Sequence, residues 1–561
     1  MEDRRAIRGG LPPVTIVGAG IAGMSAALRL LQAGFDVTVI ESSNTVGGKF
    51  GAVKVNGTYH EHAYHFLADW CLNFWDIAAS LNLSKEEHFV RRDTIKFLRR
   101  KPANLRADGE YNFLELKHGG AQLHFWDNVH SGVIPPDDMI AYAYSLLDLV
   151  TKGDDHDPDE LEFLNRSSVN GFMRSLPYMT DLAALLHQEA LLKAFAVPSY
   201  ETSVRSYRTF VRYFGRDQGG WILKGDCHTK FWQPFLRKLN SYNRRKGTPR
   251  FRLYLNTCLE AIETHDDRSA KRRPHVTRIW VRGPEGKYWL ETKHLILAVP
   301  HQEVARLVGQ NPLLRKSLPD LLELRKLKAR QMASLDLYFK NPLRGIPAEH
   351  VTLIDDRYFS DGARSRPVRL ANDGDLASRF GLSFVDNYKA WKQPRSPRET
   401  WLNVVSADFD ELAGLPTDVA QEAIIAELRC YLNFGRRAID RDRSYFRLNA
   451  EAPLFTNTVG SWRYRPETRI DDPEHEEYWV HSRIDNLYVA GDYCRSKIDL
   501  VCLEGAVTTG ITAARAVATR CGIGEEVKEP LVPPEVSSQE CEAAKAALAP
   551  WLALAIKGKR Q

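Results

Sequence analysis

Four groups of residues in this chain have the types and spacing to do chemistry. The first is Gly18-Ala19-Gly20-Ile21-Ala22-Gly23, a Gly-x-Gly-x-x-Gly run. Gly18 permits a tight turn, Gly20 lets the backbone approach a pyrophosphate, Gly23 lets a helix pack closely on a strand, and the free N–H groups around Ala22 add a positive field. Glu41 follows about 20 residues after the turn, where a carboxylate accepts the ribose hydroxyls of a dinucleotide. The second group, Gly47-Gly48-Lys49, lets backbone lie against a ligand and sets a cation where phosphate charge can be met. In the third, Tyr59 to Phe66, ionisable and aromatic side chains crowd together, with Glu61 and His65 among them. The fourth joins Gly491-Asp492, able to hold a polyol or phosphate oxygen, to Glu504-Gly505-Ala506, a helix N-terminus whose dipole would face an electron-rich group.

These groups need particular elements to hold them. The β-branched run before Gly18, the helical spacing of Met24, Ala27, Leu28 and Leu31, and the apolar run Phe35 to Ile40 predict a strand, a helix and a second strand ending at Glu41. Phe251 to Asn256, His294 to Val299 (closed by Pro300) and Asn486 to Val489 read as further strands of the same sheet. Between them, residues 127–211 read as mainly helical, including Met139 to Val150 and Met179 to Phe195, with an acidic break at 153–160. Residues 301–480 alternate helices (Pro312 to Lys328; after Pro416 to Leu432) with strands (Ala333 to Phe339; Trp401 to Ala407) and carry a polar loop from Asp361 to Ser378. In the tail, Ser537 and Glu540 have capping-box spacing, and Leu548, Trp551, Leu552, Leu554 and Ile556 precede Lys557-Gly558-Lys559-Arg560.

Composition narrows the function classes. The chain has 561 residues, too many for one simple core, with 43% hydrophobic and 26% charged residues, as in an ordinary globular enzyme. Its net charge of +6 is spread through segments such as Arg91-Arg92 and Arg244-Arg245-Lys246, so no nucleic-acid partner is expected. The 8 cysteines show no metal spacing, so no metal is expected, and a reducing compartment fits. No apolar stretch reaches the roughly 18 residues that span a bilayer. The expected location is cytoplasmic, with peripheral membrane contact through 537–561 at the inner face.

The glycine run with Glu41, the Gly47-Gly48-Lys49 loop, the segment Gly219-Gly220-Trp221-Ile222-Leu223-Lys224-Gly225 and the C-terminal Gly491-Asp492 and Glu504-Gly505-Ala506 together resemble FAD-dependent phytoene and carotene desaturases of the flavin amine oxidase superfamily. That resemblance implies FAD, bound non-covalently, and an α/β fold: a discontinuous Rossmann-type FAD domain (1–110, 219–305, 481–522) with a helical lid (111–218), a mixed α+β substrate domain (306–480) and a linker with an amphipathic helix (523–561). It also implies adenine contacts near Leu259, a helix end at Gly505-Ala506 facing the flavin N1 and O2, and Glu61 and His65 as the side chains beside the ring. The implied reaction is desaturation, a hydride moving from an apolar isoprenoid-type substrate to flavin N5, with quinone or O2 as electron acceptor. Amine oxidation and a non-catalytic FAD scaffold are the alternatives. An amine oxidase is expected to carry an aromatic cage residue two positions before Glu504 and a lysine on the strand before Phe339; this chain has Cys502 and Ser334 there.

Overall fold

In the computed structural model, residues 10–101, 104–106, 109–118, 124–152, 157–216, 219–243, 250–266, 273–355, 378–391, 399–448, 454–467 and 480–560 are described. Five parallel strands form the nucleotide sheet, in the order Phe251–Tyr254, Val37–Ile40, Val14–Val17, His294–Leu297, Leu487–Val489. Its pairing is in register: Val14 lies opposite both Val37 and His294, and Val17 opposite both Ile40 and Leu297. One face (Val14, Ile16, Val37, Val39, Ile296) packs on the helix Ile21–Gln32 and the C-terminal helix Leu503–Arg520. The other (Val17, Ile40, Leu295, Leu297) packs on His301–Gln310 and on the meander Cys258–His265, His275–Gly283, Gly286–Glu291. Apolar residues on both faces are what a parallel sheet with covered faces requires.

A second sheet has seven strands, in the order Ile439–Leu448, Ala333–Phe339, Thr400–Ser406, Leu382–Asp386, His350–Ile354, Thr94–Arg99, Phe113–Lys117. Every pairing is antiparallel except His350–Ile354 with Thr94–Arg99. Within 1–110, then, the chain crosses to this sheet at Thr94. Gly220–Leu223, at the start of 219–305, pairs instead with Leu67–Ala68 and Phe89–Arg92.

The expected lid helices appear as Pro136–Thr151 and Asp181–Phe195. The expected helix from Pro312 to Lys328 is split: Pro312–Ser317 stops, and a looser helical stretch runs Pro319–Lys326. Pro319 has no N–H to continue the first helix, and its ring crowds the preceding turn. The loop 361–377, residues 153–156 of the acidic break and the Arg244-Arg245-Lys246 cluster lie outside the described residues.

The tail helix Ser538–Arg560 begins at the expected capping box, Ser537 Oγ accepting from Glu540 N at 3.1 Å and Glu540 Oε2 from Ser537 N at 2.9 Å. It lies against Pro136–Thr151 and buries Cys541, Leu552 and Ala555. Among the described residues, no helix is long and apolar enough to cross a membrane.

A glycine cradle and a polar sheet face

The strand Val14–Val17 ends at Gly18, whose φ of +106° suits glycine. A Cβ there would sit 2.2 Å from the Ala298 carbonyl oxygen, and one on Gly23 would sit 2.0 Å from that of Gly18. Close packing of the protein's own backbone therefore requires glycine at these two positions. Gly20 differs: a Cβ on it would meet nothing within 4 Å, so its free side is the open face of the cradle. Gly47, at φ +122°, donates its N–H to Ala19 O at 2.9 Å and closes the loop beside it. Glu41 sits under the same turn, Oε2 accepting from Ala19 N at 2.8 Å and Oε1 from Ser43 N at 2.9 Å. Thr257 N donates to Glu41 O at 2.8 Å, so buried Leu259 lies two residues from a backbone bond to the acid, its own carbonyl accepting from Arg306 Nη2 at 3.3 Å. Ala22 is buried where the two helices touch: a Cβ on Gly510 would lie 2.2 Å from the Ala22 carbonyl oxygen. In the sequence, the signal for Gly510 is a glycine where the C-terminal signature runs into an Ala-rich helix.

At the other end, Gly491 donates to Thr509 Oγ1 at 3.0 Å, which pins the strand end to the C-terminal helix. Lys49 was expected to meet phosphate charge, but its ammonium lies 2.8 Å from Asp492 Oδ2. A charge-assisted bond to a half-buried carboxylate holds it there. Glu504 also departs from expectation. Its side chain turns into the protein, Oε1 accepting from Asn73 N (2.7 Å) and Asn73 Nδ2 (2.8 Å) and Oε2 from Phe74 N (2.9 Å), so it caps the helix Leu72–Ser80 instead of facing a cofactor. Burial pushes its carboxyl up to about 7 against the pull of those donors. Gly505 and Ala506 remain at the helix end, and a Cβ on Gly505 would lie 2.6 Å from Leu500 O. Cys502 caps this helix, Sγ accepting from Gly505 N at 3.3 Å, and burial raises its thiol to about 12.

Glu61 and His65 are brought together, at 3.6 Å between Glu61 Oε2 and His65 Nδ1. Cys227 N donates to Glu61 Oε1 at 2.6 Å, and the His65 ring meets the edge of Phe50 with centroids 4.6 Å apart. Between them, His62 is driven down to about 3 by burial and by Arg447 and His65, so it is neutral at ordinary pH. Ser334 donates its hydroxyl to Glu61 O at 3.0 Å.

Sequence reasoning missed the polar face that these residues rest on. Asp336 Oδ2 lies 2.8 Å from His60 Nδ1, and its Oδ1 accepts from Trp401 Nε1 (2.8 Å) and Asn403 Nδ2 (3.0 Å). Tyr64 donates to Ser383 Oγ at 2.9 Å, and its oxygen is 2.6 Å from His350 Nδ1. The available signal was phase: in Ala333–Phe339 the residues Leu335, Leu337 and Phe339 fill one apolar face, while Ser334 and Asp336 fall on the other and are equally buried.

An open cradle over Gly20, an acid beneath it and a dipole-bearing helix end at Gly505-Ala506 fit FAD, and with the nucleotide sheet they define an FAD-dependent oxidoreductase. The family of flavin containing amine oxidoreductases matches residues 21–518, and the chain belongs to it. Among its relatives, the 15-cis-phytoene desaturase of Synechococcus elongatus is 22% identical over 523 residues, covering 90% of this chain and 96% of the relative. The chloroplastic/chromoplastic enzyme of that name from Solanum lycopersicum is 22% identical over 517 residues, covering 90% and 77%. In fold, the chain is similar to a putative protoporphyrinogen oxidase from Exiguobacterium (TM-score 0.57, 16% identity, 91% of this chain and 99% of that one). It is also similar to cyclohexylamine oxidase from Brevibacterium oxydans (TM-score 0.56, 15% identity, 91% and 99%).

Proposed function

We propose that this flavoprotein dehydrogenates a carbon–carbon bond of an apolar isoprenoid-type substrate, and passes the electrons on to quinone or O2. The observation that carries this reading is what occupies the two amine-handling positions. The Ser334 hydroxyl is used on Glu61 O and the Cys502 thiol on Gly505 N, so neither position offers the aromatic or the lysine an amine oxidase is expected to carry, and the Glu61–His65 pair lies beside Ser334. The colinear similarity to 15-cis-phytoene desaturases supports the same reading.

The residues that would hold FAD are Gly18, Gly20, Ala22 and Gly23 at the pyrophosphate, Glu41 at the ribose, Leu259 at the adenine, and Gly47, Gly48, Gly491, Asp492, Gly505 and Ala506 toward the ring. When bound, FAD supplies the acceptor for the hydride leaving one carbon. The proton from the adjacent carbon falls to the protein, and Glu61 Oε2 is the acceptor, with His65 steering its charge. The buried ring of Phe50 stands edge-on to His65 and covers that side of the pair. We further place the enzyme in the cytoplasm, reversibly seated through 537–561 on an anionic membrane from which an apolar substrate is drawn.

The test is anaerobic bleaching of the bound flavin by 15-cis-phytoene and by squalene in liposomes, beside a panel of primary and secondary amines. Bleaching by a lipid supports dehydrogenation; bleaching by an amine alone overturns it; no bleaching with any donor points to a scaffold. With a bleaching lipid in hand, joint Glu61→Gln and His65→Gln substitution is expected to slow flavin reduction roughly a hundredfold at unchanged FAD content. An unaltered rate would remove the pair from the chemistry.

A further inference from the structure

We propose that a small cavity between Glu61 and the seven-stranded sheet is a binding site for one water molecule, held by Asn403, that gives the Glu61 carboxyl a hydrogen-bond partner besides Cys227 N. The cavity is lined by Glu61, Asn403, Tyr59, Tyr64 and Asn387 among others, and its volume is ≈ 10 Å³. That is at the lower limit of roughly 10–15 Å³ needed to hold a single water, and such a space stays dry unless polar atoms face it.

Three observations supply those atoms. The Asn403 amide has a fixed orientation: Asp336 Oδ1 accepts from it at 3.0 Å, and a carboxylate that also takes Trp401 Nε1 and His60 Nδ1 can only face the amide nitrogen. The carbonyl end, Oδ1, therefore points away from Asp336. That atom is buried, on a residue 2% exposed, with no hydrogen-bond partner among the described residues. An orphaned acceptor of this kind is costly to bury unless a donor reaches it. Glu61, which also lines the cavity, has committed Oε1 to Cys227 N, while Oε2 is 3.6 Å from His65 Nδ1, beyond a normal bond, and His65 Nδ1 is itself without a partner among the described residues.

One water in the cavity has both lining residues within its reach. It donates one hydrogen to Asn403 Oδ1 and the other to the Glu61 carboxylate. When Glu61 takes up a proton, its O–H donates to the same water, so the carboxyl is satisfied in both protonation states without moving. Asn403 thus acts as a positioning residue, and Asp336 with His60 and Trp401 fixes its amide. The role assigned to this water rests on Glu61 as the proton acceptor; its presence does not.

The first test is a high-resolution crystal structure of the full-length holoenzyme. A density peak within about 3.2 Å of both Asn403 Oδ1 and a Glu61 carboxylate oxygen is expected, and a dry cavity overturns the proposal. The second reads the infrared carboxyl band of Glu61, identified by its loss in Glu61→Gln. In Asn403→Leu, which fills the cavity and removes the acceptor, the band is expected to shift; in Asn403→Ser, which leaves space and a hydroxyl for the water, it stays near the wild-type position. An unshifted band in folded Asn403→Leu overturns the proposal, and should that variant not fold, the wild-type density and the serine variant decide. Neither measurement needs turnover, so failure of the catalytic reading, seen as full activity in Glu61→Gln, is separately visible.

Discussion

The nucleotide sheet and the seven-stranded sheet are both buried on two faces, but they spend their inward positions differently. In the first, both faces are apolar and the site is backbone: three glycines, a helix N-terminus and one acid. In the second, one face is apolar (Leu335, Leu337, Leu353, Phe384, Leu402, Val404) and the other carries Ser334, Asp336, Thr352, Ser383 and Asn403, all buried and tied by side-chain bonds. Cofactor binding is thereby written in local shape, and the conditions for chemistry in long-range pairing.

The largest effects should come from the glycines, and they separate two meanings of a cradle. Gly23→Ala places a methyl group 2.0 Å from the Gly18 carbonyl oxygen, backbone that cannot step aside, so the expected loss of stability is about 4 kcal/mol or more, with little soluble protein. Gly20→Ala meets no protein atom, so its melting temperature without cofactor should match wild type while desalted protein loses its flavin absorbance. Equal flavin retention in Gly20→Ala would place the pyrophosphate elsewhere.

Asp336→Ala attacks the other sheet. It leaves His60, Trp401 and Asn403 with buried, unpaired donors, and denaturant unfolding should register a loss of about 3–5 kcal/mol. A loss under about 1 kcal/mol would mean that the polar face is not a bonded unit.

Glu504 sharpens the comparison, because a residue read as part of the backbone-type site behaves like one of the polar face. Its folded carboxyl titrates near 7 against an ordinary 4.5. A raised carboxyl stabilises the fold fully below about 4.5 and loses that contribution as pH rises through 7, by a few kcal/mol at most. Wild type should therefore melt higher at pH 5 than at pH 8 by more than Glu504→Gln does. The variant itself should be less stable at both, since Asn73 N and Phe74 N donate to different oxygens of Glu504 and glutamine would set an NH2 donor against one of them. Parallel pH profiles for the two proteins would refute the assignment.

The same contrast explains what could be read in the sequence. The strand, turn, helix and acid of the first nucleotide unit are contiguous, so their periodicity and glycine spacing were sufficient, and the chain indeed places Glu41 under the Ala19 amide. Lys49–Asp492 and Asn73–Glu504 join positions 443 and 431 residues apart, and no local pattern announces a partner at that distance. Asp336 gave only a phase signal, a carboxylate among inward positions, which says that a partner must exist without saying that it is His60. Pro319 was legible in principle, since a proline after six helical residues should have divided the helix.

The smallest expected effect concerns the tail, where burial and exposure divide one helix. Its inward residues, Leu552, Ala555 and Cys541, are packed, and Lys545 Nζ reaches Asp148 Oδ1 at 2.8 Å while Glu540 Oε2 lies 2.6 Å from Arg216 Nη2. Deleting 537–561 thus removes packing as well as any lipid contact and cannot separate the two. The outer residues can: Trp551 is 47% exposed, Leu554 61%, and Trp551 stands edge-on to Trp126, itself 45% exposed, with ring centroids 5.0 Å apart. Replacing Trp551 and Leu554 by serine should change unfolding stability by no more than about 0.5 kcal/mol, the usual range for surface substitutions. Each side chain is worth at most about 1.5–3 kcal/mol of transfer into an apolar phase, and less at a membrane interface. Co-sedimentation with anionic liposomes should then fall severalfold while flavin content and melting stay level. Unchanged co-sedimentation would move membrane contact to another surface, and a marked drop in melting temperature would show that the two residues serve the fold.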